Sequence, residues 1–594
     1  MGNSTVTLSP KQQRIVDATG NVVINACPGS GKTFSVAARI SHLLKNRSFH
    51  HQGIAAISFT NTAWQEIEKK LRDDFIVDVP IRFPHFLGTI DSFINTYIFL
   101  PYGHLIMGCD QRPQLIGGLG YNHLSWKNPR KYYNDICIYI DPDELFDKVS
   151  FDINNNPISI ANPQDFNFSW NKIHNKDGSL NKKVQVIIDN KWLRFSESKA
   201  CQADANYFAF RILNEFPLIA RNISLRFPYL IIDEAQDTTD VQMAIVDILQ
   251  QHTKEIMLIG DPDQAIFEWN NAKPELFHEK IKQWAPTIEL DENRRSSKKI
   301  CDCANAFIGV EKSTPFEEGE IKDYDFEPEV REYKRESQEY IDEIKSDFLE
   351  LCKERGIEEN KIAIIYRSNS LGNFLGKQSI KKENQPWIVG NYHVRDLVQG
   401  KYLYENGNLK KGFKYLEHGF HKAMSGNPYL ESDFIKRQIA EKGFVKYRQE
   451  IFDFIDLLPI CNGEQLDQWR KKAVKSISGK YSFDFPINSA LGKKTIDSFF
   501  KTEDLPKDEF QCHVGTIHSV KGETYDAVLM ILKDAAGNNR KYRNLLEGCQ
   551  NDEDREEKRI IYVGLTRARM ILVLAVPVGC KDIWNEKLKL KSTE

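Results

Sequence analysis

The chain has 594 residues, more than one hydrophobic core can serve, and its 41% hydrophobic and 27% charged residues exclude a largely disordered class. A net charge of −3 excludes a global basic field, so nucleic acid, if bound, must be met in a local groove. No apolar run reaches membrane-span length and no signal-peptide pattern opens the chain; the eleven scattered cysteines, with only Cys301 and Cys303 close together, read as reduced thiols in a cytoplasmic protein.

The first element is a helix start, with Ser9 as N-cap and Pro10 at the first helical position. Gln12 then falls in the first turn. Its amide offers the donor and acceptor that an adenine edge needs, though most surface glutamines do nothing specific. Val22-Val23-Ile24 reads as a buried strand and Phe34–Ile40 as a helix. Between them Ala26, Cys27, Pro28, Gly29, Ser30, Gly31, Lys32 and Thr33 follow the G-x-x-x-x-G-K-[ST] pattern, with Ala26 in the first position. Strand, Gly-rich turn and helix together form a phosphate cradle. Backbone N–H groups and the helix's positive end face anionic oxygens, Lys32 adds a charge for the outer phosphates, and the Thr33 hydroxyl is placed for Mg²⁺.

Ile54–Ala63 reads as a strand entering a helix, and Leu87–Phe93 as a second strand-like entry; both end in small polar groups and an aromatic. From about 100 to 205, Asn, Pro, Gly and aromatic residues crowd together and suggest an inserted subdomain. Alternating runs there, such as Lys183–Ile188, suggest hairpins. Tyr229–Asp237 is an apolar strand ending in carboxylates, where Asp233 can hold Mg²⁺ and Glu234 can deprotonate an attacking water. Ile256–Gln264 is another strand and turn, and Gln264 is placed to sense a terminal phosphate. Phe267 and Trp269 share a face if extended, as a base-stacking pair or as ordinary core.

Asp291–Ser296 opens a second α/β unit, continued at Lys361–Arg367. Residues from about 390 to 505 turn helical, with interleaved Lys, Tyr and Phe that either touch a nucleic acid backbone or form a solvated face. The sheet pattern returns in Val514–Gly522 and Ala527–Ile531. An acidic run at Asp552–Glu557 precedes Lys558–Arg569, and Ile571–Val576 reads as a terminal strand closing the fold.

The segments ACPGSGKT, DEAQD, GDPDQAIFEW, GTIHSVKGE and YVGLTRAR, in this order, resemble the UvrD/Rep/PcrA type of superfamily 1 DNA helicase. The resemblance implies an α/β fold of two RecA-like P-loop motor domains, each with an inserted accessory subdomain. It divides the chain into 1–100 with 206–288 (first motor domain), 101–205 (its insert), 289–389 with 506–594 (second motor domain) and 390–505 (a shortened helical insert). It also implies roles. Gln12 reads adenine; Lys32 and Thr33 serve phosphate and Mg²⁺ with Asp233 as second metal partner. Glu234 is the catalytic base, Gln264 couples nucleotide to strand, and Arg295 and Arg567 reach the γ-phosphate from the second motor domain. Phe59, Phe267 and Trp269 line a single-strand track, with Thr89, Thr516 and His518 near phosphates.

Three positions depart from the family pattern. Arg294 stands where a tyrosine usually stacks on adenine, Asp91 replaces the histidine of the GT-x-H-S block, and Glu523 comes one residue earlier than the glutamate expected at the ribose. The implied function is an ATP- and Mg²⁺-dependent translocase on single-stranded DNA and a 3′→5′ helicase on tailed duplex. The alternative is a DNA-sensing ATPase subunit that activates a partner nuclease. Compact members of this type occur beside nucleases in anti-phage systems such as Gabija, which the chain also resembles. Only about 25 residues follow the last motor motif, too few for a nuclease domain of its own.

Overall fold

The computed structural model describes residues 7–46, 51–78, 83–115, 130–133, 136–139, 149–159, 179–180, 182–267, 271–284, 286–334, 336–375, 386–388, 391–426, 434–500, 512–533, 540–549 and 551–590. Two parallel sheets dominate. The first consists of β1 (Val22–Ala26), β2 (Ile54–Ser58), β3 (Phe86–Thr89), β4 (Tyr229–Ile232), β5 (Glu255–Gly260) and β6 (Ile288–Leu290). Its order is β6-β1-β5-β4-β2-β3, with every pair parallel. A parallel sheet covered on both faces needs largely apolar strands, and the central strands β1, β2, β4 and β5 are largely apolar and buried. Successive side chains alternate between two cores. Val23, Ile57, Leu230 and Leu258 face one, whereas Val22, Ile24, Ile231 and Met257 face the other.

The second sheet consists of β7 (Glu329–Tyr333), β8 (Ile362–Tyr366), β9 (His513–Thr516), β10 (Tyr525–Ile531) and β11 (Ala568–Pro577). Its order is β7-β11-β10-β8-β9, again all parallel. The strand expected to close the fold is β11. It lies inside the sheet, between β7 and β10, and a further helix, Lys581–Leu588, follows it. Its residues are almost all buried, as an interior parallel strand requires.

The described part of the segment between β3 and β4 is mixed, with Arg130–Tyr133 paired antiparallel to Ile136–Tyr139 and a hairpin at Val149–Ser159. Lys183–Ile188, expected as a hairpin, instead lies in a helix, Lys182–Ser196. Packing overrides the alternating pattern here. Ile188, Lys191 and Phe195 are buried at helical spacing, and Lys191 pairs at 2.6 Å with Asp204 of the helix Gln202–Glu215, both fully buried. Residues 369–511 form a second compact unit. It is helical, as expected, with helices Tyr392–Glu405, Leu409–Ser425, Phe434–Lys442, Phe444–Ile455 and Leu466–Ile477 around Leu397, Phe420, Tyr447, Phe454 and Trp469. Among the described residues, no helix is long and apolar enough to cross a membrane. Cys301 and Cys303 are buried free thiols.

Candidate nucleotide site

The phosphate loop leaves the carboxyl end of β1 and enters the helix Lys32–Asn46. Ala26 is still strand and fully buried, so the first position of the motif needs a small residue rather than glycine's freedom. Gly29 and Gly31 do need that freedom, with φ of 72° and 81°. A Cβ on Gly29 would stand 2.6 Å from the Arg295 Cβ. Buried Ser30 donates through Oγ to the Cys27 carbonyl at 2.8 Å, and Cys27 N donates to the Leu290 carbonyl of β6 at 2.9 Å. These bonds fix the loop, of which Pro28 is a buried part, at the helix N-terminus, where N–H groups are available to an anion.

Asp233 and Glu234 follow β4. Asp233 is 1% exposed, and Glu234 takes a left-handed conformation (φ 55°) that costs a non-glycine residue about 1–3 kcal/mol. Glu234 N donates to Asp233 Oδ1 at 3.0 Å, and Gln236 Nε2 donates to Glu234 Oε2 at 2.5 Å. Lys32 Nζ lies 3.6 Å from Glu234 Oε1. Burial and then the Glu234 charge push the Asp233 carboxyl up. For Glu234, burial is outweighed by Lys32, Lys521, Gln236 and Arg567, which hold it below the usual carboxylate range. A buried aspartate together with a threonine hydroxyl is a donor set that suits Mg²⁺, an ion that keeps waters and takes few protein ligands. Thr33 and Asp233 both line the same cavity and fit that role.

Groups from the second sheet converge on this point. Asn293 Oδ1 accepts from Arg295 N at 2.8 Å and from Ser296 N at 2.9 Å, and Arg295 Nη1 donates to the Thr566 carbonyl at 3.0 Å. Arg567 follows the helix Asp552–Leu565. It donates through Nε to the Val563 carbonyl at 2.9 Å and through Nη2 to Gln264 Oε1 at 2.8 Å. Gln264 in turn donates to Asp261 Oδ2 at 2.5 Å. Burial and the nearby Arg295 lower Arg567 to about 9, which still leaves it a cation at neutral pH. Loop, carboxylates, Gln264 and both arginines line one cavity of about 820 Å³.

Gln12 is buried in a capping box: its Oε1 accepts from Ser9 N at 3.1 Å, and its Nε2 lies 3.1 Å from where a Cβ on Gly31 would be. Arg294 lines the cavity and lies over the Phe316 ring, 3.7 Å from its centroid. Glu523 also lines the cavity, and its carboxylate accepts from the Tyr525 hydroxyl.

Comparison with known proteins accords with this geometry. A UvrD/REP helicase N-terminal domain model matches residues 8–112 and 127–285, and a UvrD-like helicase C-terminal domain model matches residues 491–577. Together they span more than half of the sequence. The chain belongs to the UvrD/Rep helicase family. It is 24% identical to an ATP-dependent DNA helicase PcrA of Leuconostoc citreum, over 96% of this chain and 81% of that protein. It is also 24% identical to an ATP-dependent DNA helicase Rep of Buchnera aphidicola, over 93% of this chain and 90% of the relative. Against a probable DNA helicase II homolog of Mycoplasma capricolum it is 24% identical over 63% of this chain, spanning about half (51%) of that relative.

In this UvrD/Rep-family chain the residues expected on the DNA track are less uniformly disposed. Phe59 and Phe267 line the same cavity, and Lys521 Nζ lies 4.5 Å above the Phe267 ring while it pairs with Asp237 at 2.6 Å. Trp269 lies outside the described residues. Thr89 caps the helix Ile90–Ile94 through its hydroxyl, which accepts from Ser92 N at 3.2 Å. Thr516 ends β9, and His518 is held by burial at about 4, so its ring is neutral at neutral pH. Asp91 is built into the fold, accepting from Asn206 and Gln242, each at 3.2 Å. Sequence reasoning missed Lys312, which pairs with Asp261 and, at 2.5 Å, with Asp263. Both aspartates sit in the quoted GDPDQ segment, but their partner lies some 50 residues downstream with no motif around it.

Proposed function

We propose that this chain is an ATP-driven motor that moves 3′→5′ along single-stranded DNA and separates tailed duplex. The observation that carries the reading is the bond from Arg567 to Gln264. It joins a cation of the second sheet to the turn after β5, in a cavity that also holds the phosphate loop and Glu234. In this reading the triphosphate lies on Gly29–Thr33 and Lys32 meets its outer phosphates. Glu234, kept ionised by the surrounding cations, takes a proton from the attacking water. Arg295 and Arg567 stabilise charge that develops in the transition state, and they do so only when the cleft is closed. Mg²⁺, held by Thr33 and Asp233, supplies charge neutralisation at the phosphates.

Gln264 links this chemistry to the Phe267 segment. Bases step past Phe59, Phe267 and Trp269 as the two motor domains move, with Thr89, Thr516 and His518 at the backbone. The four-part division 1–100 with 206–288, 101–205, 289–389 with 506–594, and 390–505 belongs to this reading, as does a cytoplasmic location.

The test is hydrolysis measured against added single-stranded DNA, together with strand separation on 3′- and 5′-tailed duplexes. Stimulated hydrolysis with opening of the 3′-tailed duplex alone is the expected result. Opening of the 5′-tailed duplex alone would reverse the polarity. Stimulated hydrolysis without strand separation would favour a DNA-sensing subunit acting through a partner such as a nuclease.

A further inference from the structure

Lys312 does not line the nucleotide cavity, yet its ammonium meets the carboxylate on which Gln264 depends. It sits between the helix Lys298–Ile308 and the short strand Thr314–Pro315. That helix packs through Ile300, Cys303 and Phe307 into the core of the second sheet. Two asparagines fix the segment. Asn305 Oδ1 accepts from Lys312 N at 3.2 Å and from Ser313 N at 3.0 Å, and Asn293 Nδ2 donates to Ser313 Oγ at 2.9 Å. Asn293 is also the residue that holds Arg295 N and Ser296 N. Lys312 and Arg295 are therefore set on one anchor.

From the first sheet, the turn after β5 supplies Asp261 and Asp263. Lys312 Nζ pairs with Asp261 Oδ1 and, at 2.5 Å, with Asp263 Oδ2. Asp261 Oδ1 also accepts from Asp263 N at 3.1 Å, and its Oδ2 accepts from Gln264 Nε2 at 2.5 Å. A carboxylate only accepts, so it admits one orientation of the Gln264 amide, with Nε2 towards Asp261 and Oε1 away from it. That Oε1 is the atom to which Arg567 Nη2 donates at 2.8 Å. The Asp261 backbone is tied in as well: its N–H donates to Gln236 Oε1 at 3.1 Å, and Gln236 Nε2 donates to Glu234 Oε2 at 2.5 Å. A fully buried carboxylate that loses its cation takes up a proton or moves towards other donors. A protonated carboxyl donates, and the Gln264 amide is then free to turn its oxygen inward and away from Arg567.

We propose that Lys312 is a positioning residue for nucleotide hydrolysis: by holding Asp261 it orients the Gln264 amide, and so sets Arg567 towards the phosphates. The inference rests on the motor reading above and adds to it a residue outside the nucleotide cavity. Its effect falls on rate rather than on nucleotide affinity. The phosphate loop and Lys32 do not depend on this pair, whereas Arg567 acts on charge that develops only in the transition state. A displacement of about 1 Å at such a group is worth about 10²-fold in rate.

The experiment is DNA-stimulated ATP hydrolysis, with kcat and KM resolved, by the full chain and by Lys312→Met, Lys312→Arg, Arg567→Ala and the Lys312→Met/Arg567→Ala double variant. Lys312→Met should lower kcat by about 10- to 100-fold with little change in KM for ATP. Lys312→Arg, which keeps the cation, should retain most of the rate. In the Arg567→Ala background Lys312→Met should cost about twofold or less, because a residue that acts through Arg567 then has nothing left to position. A merely structural role would reduce the active fraction by the same factor in both backgrounds. An unchanged kcat in Lys312→Met, or equal losses in the two backgrounds, overturns the proposal. If Lys312→Met fails to fold, Lys312→Met combined with Asp261→Asn removes both charges and with them the unpaired buried ion. A low kcat in that folded protein, at wild-type KM and melting temperature, supports the proposal, and a wild-type kcat overturns it. A wild-type chain that hydrolyses no ATP in the presence of DNA would instead overturn the motor reading itself.

Discussion

Arg567 Nη2 and Gln264 Oε1 lie 2.8 Å apart across 303 residues of sequence, and Gln264 passes the contact on to fully buried Asp261. The group proposed to sense phosphate is therefore bonded to the group proposed to supply charge to it. The chain from Arg567 through Gln264 to Asp261 continues to Lys312, so both sheets contribute to one polar network. Networks of this kind act as a unit, and removing one member does more than the sum of pairwise terms suggests.

Arg567→Ala is accordingly expected to lower DNA-stimulated turnover by about 10³-fold or more, the scale of an arginine supplied to a phosphoryl-transfer site. Nucleotide affinity should change far less. Gln264→Ala should cost less than Arg567→Ala, and the double variant should be close to Arg567→Ala alone, because the contact can be lost only once. Single-turnover hydrolysis and nucleotide titration on the four proteins measure this. Strict additivity of the two losses would show that the bond carries no coupling.

Glu234→Gln keeps the size of the side chain and removes its charge. Hydrolysis should fall by roughly 10²–10⁴-fold while ATP and DNA binding survive, the usual scale for loss of a general base. The left-handed backbone at this position argues for Gln rather than Ala, since the substitution should leave the local conformation unchanged. Near-normal turnover would remove Glu234 from the mechanism.

Lys312 is the main countercharge of Asp261, whose side chain has no solvent exposure, and it also meets Asp263. The two carboxylates push Lys312 up from its ordinary value against the effect of burial. Lys312→Met leaves Asp261 buried without its cation, and breaking such a pair typically costs about 3–5 kcal/mol. Thermal denaturation of the full chain reads this loss. Lys312→Arg should recover a large part of it, and an unchanged melting temperature in Lys312→Met would show that the pair contributes nothing to stability.

The two sheets were legible because parallel strands are short apolar runs, and because the turns at their carboxyl ends carry residues chosen for chemistry. Gly29, Gly31, Lys32, Asp233 and Glu234 announce themselves through spacing and the strand before them. Lys183–Ile188 misled because its alternation suits a strand; the buried Lys191–Asp204 pair, formed with a residue two elements away, holds it as a helix. Lys312 and Phe316 were invisible for a related reason. Their partners, Asp261 and Arg294, are met through the fold rather than through any local period, and a lone lysine or phenylalanine between elements carries no pattern. The Gln12 capping box could have been found, since Ser9 and Gln12 have the spacing for it.

Residues 369–511 offer a prediction independent of nucleotide. His421 is buried, and its Nε2 lies 3.0 Å from the Tyr447 hydroxyl, which donates to Glu417 Oε1 at 3.1 Å; Nε2 is therefore the donor in the first bond. Burial, then Lys442, lowers His421 to about 4 against the opposing charge of Glu450. Between about 6.5 and 4 the unfolded chain binds more protons at this site than the native one, so stability falls as pH is lowered through that window. At about 1.4 kcal/mol per pKa unit the loss is on the order of 3 kcal/mol. His418, also lowered by burial, works in the same direction, whereas Glu417, raised by burial, works against it at the acid end. The clean reading is therefore a difference. His421→Gln should flatten the decline in melting temperature between pH 7 and pH 5 relative to wild type, and parallel curves for the two proteins would show that His421 binds its proton equally well in the native and unfolded states.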